Sequence, residues 1–194
     1  MAHADMTILA FAGERLIARG PLADAMPSVH AAQFGGEPLA VFDAATGKVV
    51  DLDLRGSADD ARARLAGPPE AEKRGPGRPK LGVTAREVTL LPRHWDWLAG
   101  QPGGASVALR KLVEGALKEA EGPDRARGSK EAAYRLMTTL AGDRPGYEEA
   151  TRMLFAGDWT AFDAAVVEWP SDIRAVVTEI AEGGWRNGAG RPAS

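Results

Sequence analysis

The chain has 194 residues, 44% of them hydrophobic and 26% charged, which supplies apolar material for a sizeable core and fits one or two domains. It has no cysteine and three scattered histidines, His3, His30 and His94, so disulfides, thiolate nucleophiles and thiolate metal sites are excluded and no metal or other cofactor is expected. The formal net charge of −3 argues against a protein that coats nucleic acid with its whole surface. Within residues 73–111, however, Lys73, Arg74, Arg78, Lys80, Arg86, Arg93, Arg110 and Lys111 stand against only Glu87 and Asp96, which is about +6 there and about −9 elsewhere.

No apolar run approaches the roughly 20 residues of a bilayer-spanning helix, and MAHADM lacks the parts of a secretory signal, so the cytoplasm is the expected compartment. TILAFAG, ERLIARG, EPLAVFDA and KVVDLDL have strand length and composition, with hairpin breaks inside each pair, and predict four strands. Between the pairs, PLADAMPSVHAAQ predicts a helix with Pro21 at its first position and Pro27 kinking or shortening it. SADDARARLAG predicts another, with Ser57 as N-cap and Gly67 as its stop. Residues 1–66 are thus expected to form a small α+β domain without a phosphate loop or a carboxylate pair placed for acid–base work.

Residues 67–84, GPPEAEKRGPGRPKLGVT, are too rich in proline and glycine for helix or ladder and read as a basic linker. GRPK at residues 77–80 resembles the core of an AT-hook, in which an extended Gly-Arg-Pro segment lies in the narrow minor groove of A·T-rich DNA. Pro76 stands where that motif has a second arginine. The resemblance implies that Arg78 and Lys80, helped by Lys73 and Arg74, reach the minor groove or the DNA backbone, where narrow grooves concentrate negative potential.

Residues 85–122 predict a strand over REVTLL, a short helix opened by Pro92, a turn at Gly103 and Gly104, and a longer helix with Ser106 as N-cap. Leu109, Leu112, Val113, Ala116, Leu117 and Ala120 fall on one face of that helix, with Arg110, Lys111 and Glu114 on the other. This order resembles the ribbon-helix-helix family, in which strands from two chains pair into a ribbon that enters the major groove. The resemblance implies a homodimer, with Arg86 and Thr89 on the ribbon and Gly104 and Ser106 holding a phosphate at a helix start. The strand has two phases. In one, Glu87, Thr89 and Leu91 point inward; in the other, Val88 and Leu90 do.

Residues 129–185 predict a helical bundle of four helices, with Gly142, Gly157 and Gly183 as stops, Asp158 and Ser171 as N-caps, and Tyr147, Phe155, Trp159, Phe162, Trp169 and Trp185 in its core. Residues 186–194 read as a tail. The blocks GRPKLGVTAREVTLLPRHWDWLAGQPGGASVALRKLV, GDRPGYEEATRMLFAGD and WPSDIR are similar to the bacterial family DUF2239, a domain of unknown function, over nearly the whole chain.

The expected fold class is therefore α+β: a small N-terminal α+β unit, a central ribbon-helix-helix-like element and a C-terminal helical bundle. The expected function is a dimeric DNA-binding protein, a transcriptional regulator or nucleoid-associated factor, whose partners are double-stranded DNA, a second copy of itself and a protein met by the acidic flanking domains, with no membrane. The competing expectation is a non-catalytic interaction or oligomerisation protein that does not bind DNA. An enzyme is not expected, since no nucleophile elbow, phosphate loop or clustered histidine is present.

Overall fold

β1 (Thr7–Ala12) is buried at every position after Thr7, the pattern of a strand covered on both faces. The computed structural model, which describes residues 6–65 and 86–186, sets it between β2 (Arg15–Pro21) and β3 (Leu39–Asp43) in an antiparallel sheet of order β2-β1-β3. Alternation along the strand sorts its side chains between two clusters. Ile8 and Ala10 join Leu22, Met26 and Val29 of α1 (Leu22–Ala32) and Ala61 of α2 (Ala58–Leu65). Leu9 and Phe11 face the other way, into a cluster with Phe42 and the C-terminal helices.

The described helices continue with α3 (Pro92–Ala99), α4 (Gly104–Ala141), α5 (Tyr147–Ala156), α6 (Trp159–Ala165) and α7 (Ser171–Arg186). The described residues form two compact units, 6–65 with 122–186, and 86–121. In the first, Leu136, Met137, Leu154, Phe162, Ile173 and Val177 are fully buried, at roughly 1.5–3 kcal/mol for each large apolar side chain. The two ends of the sequence thus share one core.

Polar groups fix the same arrangement. Arg135 Nη1 donates to the Thr46 carbonyl at 2.7 Å, and the Leu16 N–H on the open edge of β2 donates to Asp172 Oδ2 at 2.9 Å. Arg19 meets both carboxylate oxygens of Glu179, at 2.6 and 2.5 Å, and Arg144 pairs with Glu14. Hydrogen bonding from Arg19, first among the causes, holds the Glu179 carboxyl below its ordinary value. Gly47 has φ +65°, and a Cβ there would overlap the backbone of Ala132 on α4.

Several expectations are corrected. Among the described residues three strands form, not four. Val49 makes one bridge to Phe42 and the Val50 N–H donates to the Val41 carbonyl at 2.8 Å, after which the chain leaves the sheet. Pro27 lies inside α1 without ending it. The helix expected to stop before residue 129 runs unbroken from Gly104 to Ala141 through Pro123. Its flanks there, Lys118, Glu119, Ala120, Arg125, Ala126 and Arg127, are mostly strong helix formers that offset one lost hydrogen bond.

Gly183 does not stop α7; a Cβ there would come within 2.9 Å of Ser129 Oγ, so the glycine serves close helix packing. Phe155 is exposed rather than in the core, in an edge-on pair with Tyr134 at 5.6 Å between ring centres. The Trp185 side chain lies outside the description, as does Gly67.

Other local signals are met. Ser57 Oγ accepts the Asp60 N–H at 3.1 Å while Asp60 accepts the Ser57 N–H at 2.9 Å, a reciprocal cap. Asp158 accepts the Ala161 N–H at 3.1 Å, and Gly157 closes α5 at φ +78°.

Candidate nucleic-acid interface

Residues 86–121 bury only two of their described side chains, Leu98 and Ala108. Pro92 opens α3 at a position whose N–H would be unpaired in any residue, and it keeps Leu91 extended at φ −68° and ψ 150°. After α3 the chain turns through Gly103 and Gly104, both at positive φ, +87° and +75°, a conformation that favours glycine. The Gly104 N–H donates to the Gln101 carbonyl at 3.0 Å, so it is already engaged. α4 starts two residues before the expected cap; Ser106 is exposed in its first turn, where helix amides lack intrahelical acceptors and attract anions.

Residues 86–91 form no strand within the single chain. Of the two phases, Leu90 turns inward: with His94, Trp97, Leu98, Leu109 and Leu112 it lines an apolar groove of about 270 Å³. Arg86, Glu87, Thr89 and Leu91 are exposed, and Val88, in phase with Leu90, is also uncovered. The apolar face expected on α4 forms at the right spacing but nothing among the described residues covers it: Leu112, Val113 and Leu117 are 51%, 55% and 63% exposed. Trp95 and Trp97 on α3 are exposed as well.

Charge follows the same division. Arg86, Arg93 and Lys111 have no ion-pair partner among the described residues, and Arg110 donates only to the Ser106 carbonyl, at 3.2 Å. In the other unit Arg15, Arg19, Arg55, Arg135 and Arg144 each meet a carboxylate.

Of the candidate site residues, Gly104 and Ser106 stand together at the start of α4, while Arg86 and Thr89 lie on the exposed stretch before α3. Lys73, Arg74, Arg78 and Lys80 lie outside the described residues. Arg93 on α3 and Arg110 and Lys111 on α4 join the candidates; their signal in the sequence is their place in the cationic run of residues 73–111. No group of three His, Asp or Glu side chains among the described residues is placed to hold a metal ion, and none of the described helices is long and apolar enough to cross a membrane.

A family model described as an uncharacterized protein conserved in bacteria, DUF2239, matches residues 7–181. The chain belongs to the DUF2239 family. No curated protein and no solved structure matches it. The DUF2239 match takes in the central segment as well as the sheet and most of α7.

Proposed function

We propose that this DUF2239 protein is a homodimeric DNA-binding protein, a transcriptional regulator or nucleoid-associated factor, that grips a duplex through its central segment. The observation that carries this reading is a coincidence in residues 86–121: apolar side chains stand uncovered beside cations that have no carboxylate partner among the described residues. An unpaired cation on a solvated face is matched by a polyanion, and an uncovered apolar helix face by a second copy of itself. Two copies of residues 86–91 would satisfy each other's backbone groups as an antiparallel ribbon, which the major groove admits. With Leu90 turned inward, Thr89 would then face the duplex, Arg86 at the end of the ribbon would reach a phosphate, and Ser106 with the first-turn amides of α4 would receive another. With its N–H engaged, Gly104 would contribute its backbone turn. Lys73, Arg74, Arg78 and Lys80 would hold the adjoining backbone or minor groove.

The test is equilibrium binding to A·T-rich and random duplexes at several salt concentrations, beside sedimentation equilibrium of the free protein. Affinity is expected to fall with salt at a log-log slope of about −0.9 per phosphate contact, and Arg78→Ala and Arg86→Ala to lower that slope by about one contact each. A dimer whose duplex binding has a slope near zero, unchanged in both variants, would leave the interaction protein as the reading. A monomer would overturn the ribbon.

A further inference from the structure

Duplex binding leaves unused a cavity in the N-terminal α+β region. After β3 the chain turns at Gly47 and returns as an extended strap, residues 48–54, that pairs with the sheet only at its start. Val50, Leu52 and Leu54 of the strap pack against the cluster of α1 and α2, and Arg64 holds the strap by donating to the carbonyls of Asp53, at 3.0 Å, and Arg55. Where the strap parts from the sheet it leaves a cavity of about 460 Å³ whose apolar lining includes Met6, Leu22, Met26, Leu52, Ala61 and Leu65. That volume lies within the range of small-molecule sites, roughly 300–1,000 Å³.

The polar groups of the lining narrow the ligand class. Lys48, Asp51, Asp53 and Arg64 are exposed, and half-buried Asp43 is engaged in its own turn, where Oδ1 accepts the N–H groups of Ala45 and Thr46 at 2.8 and 3.2 Å. Asp43, Lys48 and Asp51 have no ion-pair partner among the described residues, whereas Asp53 is shared by Arg55 at 2.7 Å and Arg64 at 3.5 Å. Three carboxylates, Asp43, Asp51 and Asp53, thus meet three cations, Lys48, Arg55 and Arg64, and neither sign is in excess to hold an ionic head. Farther in, no polar or charged side chain is buried among the described residues, and the buried polar atoms that lack a partner, on Arg144, Thr151 and Thr178, do not line this cavity. A buried water needs two to four polar partners, so water beside Leu22, Met26 and Leu52 is poorly held and an apolar body displaces it favourably.

We propose that this cavity binds an uncharged, mainly apolar small molecule, its body enclosed by Leu22, Met26 and Leu52. The flexible side chains of Met6 and Met26 adapt to its outline. The site stands or falls independently of duplex binding.

Titration calorimetry of the full chain tests it with the alcohols 1-butanol, 1-hexanol and 1-octanol and the ionic probes octanoate and octylammonium. Octanol is expected to bind saturably at one site, and affinity to rise about two- to fourfold for each methylene along the alcohols. Both ionic probes are expected to bind about tenfold more weakly than octanol, since neither head finds a matching charge once out of water. Asp43→Asn, which keeps the acceptor for Ala45 and Thr46, and Lys48→Gln are each expected to leave the octanol affinity within about twofold. Leu52→Trp, which fills the cavity from the strap, is expected to abolish binding. In methyl NMR spectra of the unaltered protein, octanol is expected to shift the Met26 and Leu65 signals. The assignment is overturned by absence of saturable octanol binding, by either ionic probe matching octanol, or by alcohols that bind alike whatever their length. It is equally overturned by a larger octanol change in either charge variant, by unmoved Met26 and Leu65 signals, or by full binding in a folded Leu52→Trp. If circular dichroism shows Leu52→Trp unfolded, the order of the probes and the methyl shifts still decide it.

Discussion

Residues 6–65 and 122–186 enclose Phe11, Phe42, Phe162 and Trp169 and match most of their arginines with carboxylates, whereas residues 86–121 expose Trp95, Trp97, Leu112, Val113 and Leu117 and leave Arg86, Arg93 and Lys111 unmatched among the described residues. The first region encloses a core within a single chain. The second, with two buried side chains, has less apolar burial than an independent fold of that size needs. The contrast teaches where to look for contacts with other molecules: in a segment whose helices form at the expected spacing and then find nothing to cover them.

Substitutions can break or sharpen this contrast. Phe162→Ala opens the shared core and is expected to cost about 3–5 kcal/mol, read as a lower denaturant midpoint. Gly47→Ala forces a side chain into positive φ and onto the Ala132 backbone; about 1–3 kcal/mol is expected to be lost, measured by thermal and urea unfolding. A milder change, Glu179→Gln, removes a half-exposed ion pair with Arg19 and is expected to cost about 0.2–1 kcal/mol at neutral pH.

The sign of its pH dependence follows from the lowered Glu179 carboxyl. The stabilisation is present above the ordinary carboxylate value of about 4.3 and is lost as pH falls through the depressed folded value, so wild type and variant should converge in acid. Last, Leu117→Asp is expected to change the stability of the shared core by less than about 0.5 kcal/mol while preventing self-association in sedimentation equilibrium. A Leu117→Asp protein that unfolds like Phe162→Ala would erase the distinction between the regions.

Much of the fold was legible because local signals suffice for it. Short apolar runs with hairpin breaks between them gave β1, β2 and β3, and caps such as Ser57 and Asp158 marked helix starts. The misses share a physical cause, since each was decided by residues distant in sequence. KVVDLDL has the composition of a strand, yet Arg64 and the apolar surface of α1 and α2 draw it off the sheet after Val50. Gly183 reads as a stop until Ser129 is seen against it.

The shared core was not legible either, because the continuous apolar run TILAFA fits a strand covered on both faces without saying that helices more than a hundred residues away cover one of them. For the candidate interface, the sequence located the cationic segment and the apolar face of α4. Which strand phase faces inward, and that the Gly104 N–H is engaged, required coordinates.

The placement of the indoles has an optical consequence. Trp169 is enclosed, its ring N–H donating to the Pro145 carbonyl at 2.9 Å, while Trp95 and Trp97 meet solvent. Emission from the enclosed ring should be bluer and shielded from a dissolved quencher such as iodide, and emission from the α3 pair redder and accessible. The chain therefore carries a built-in fluorescence gauge of whether its central surface has been occluded, readable without any attached dye.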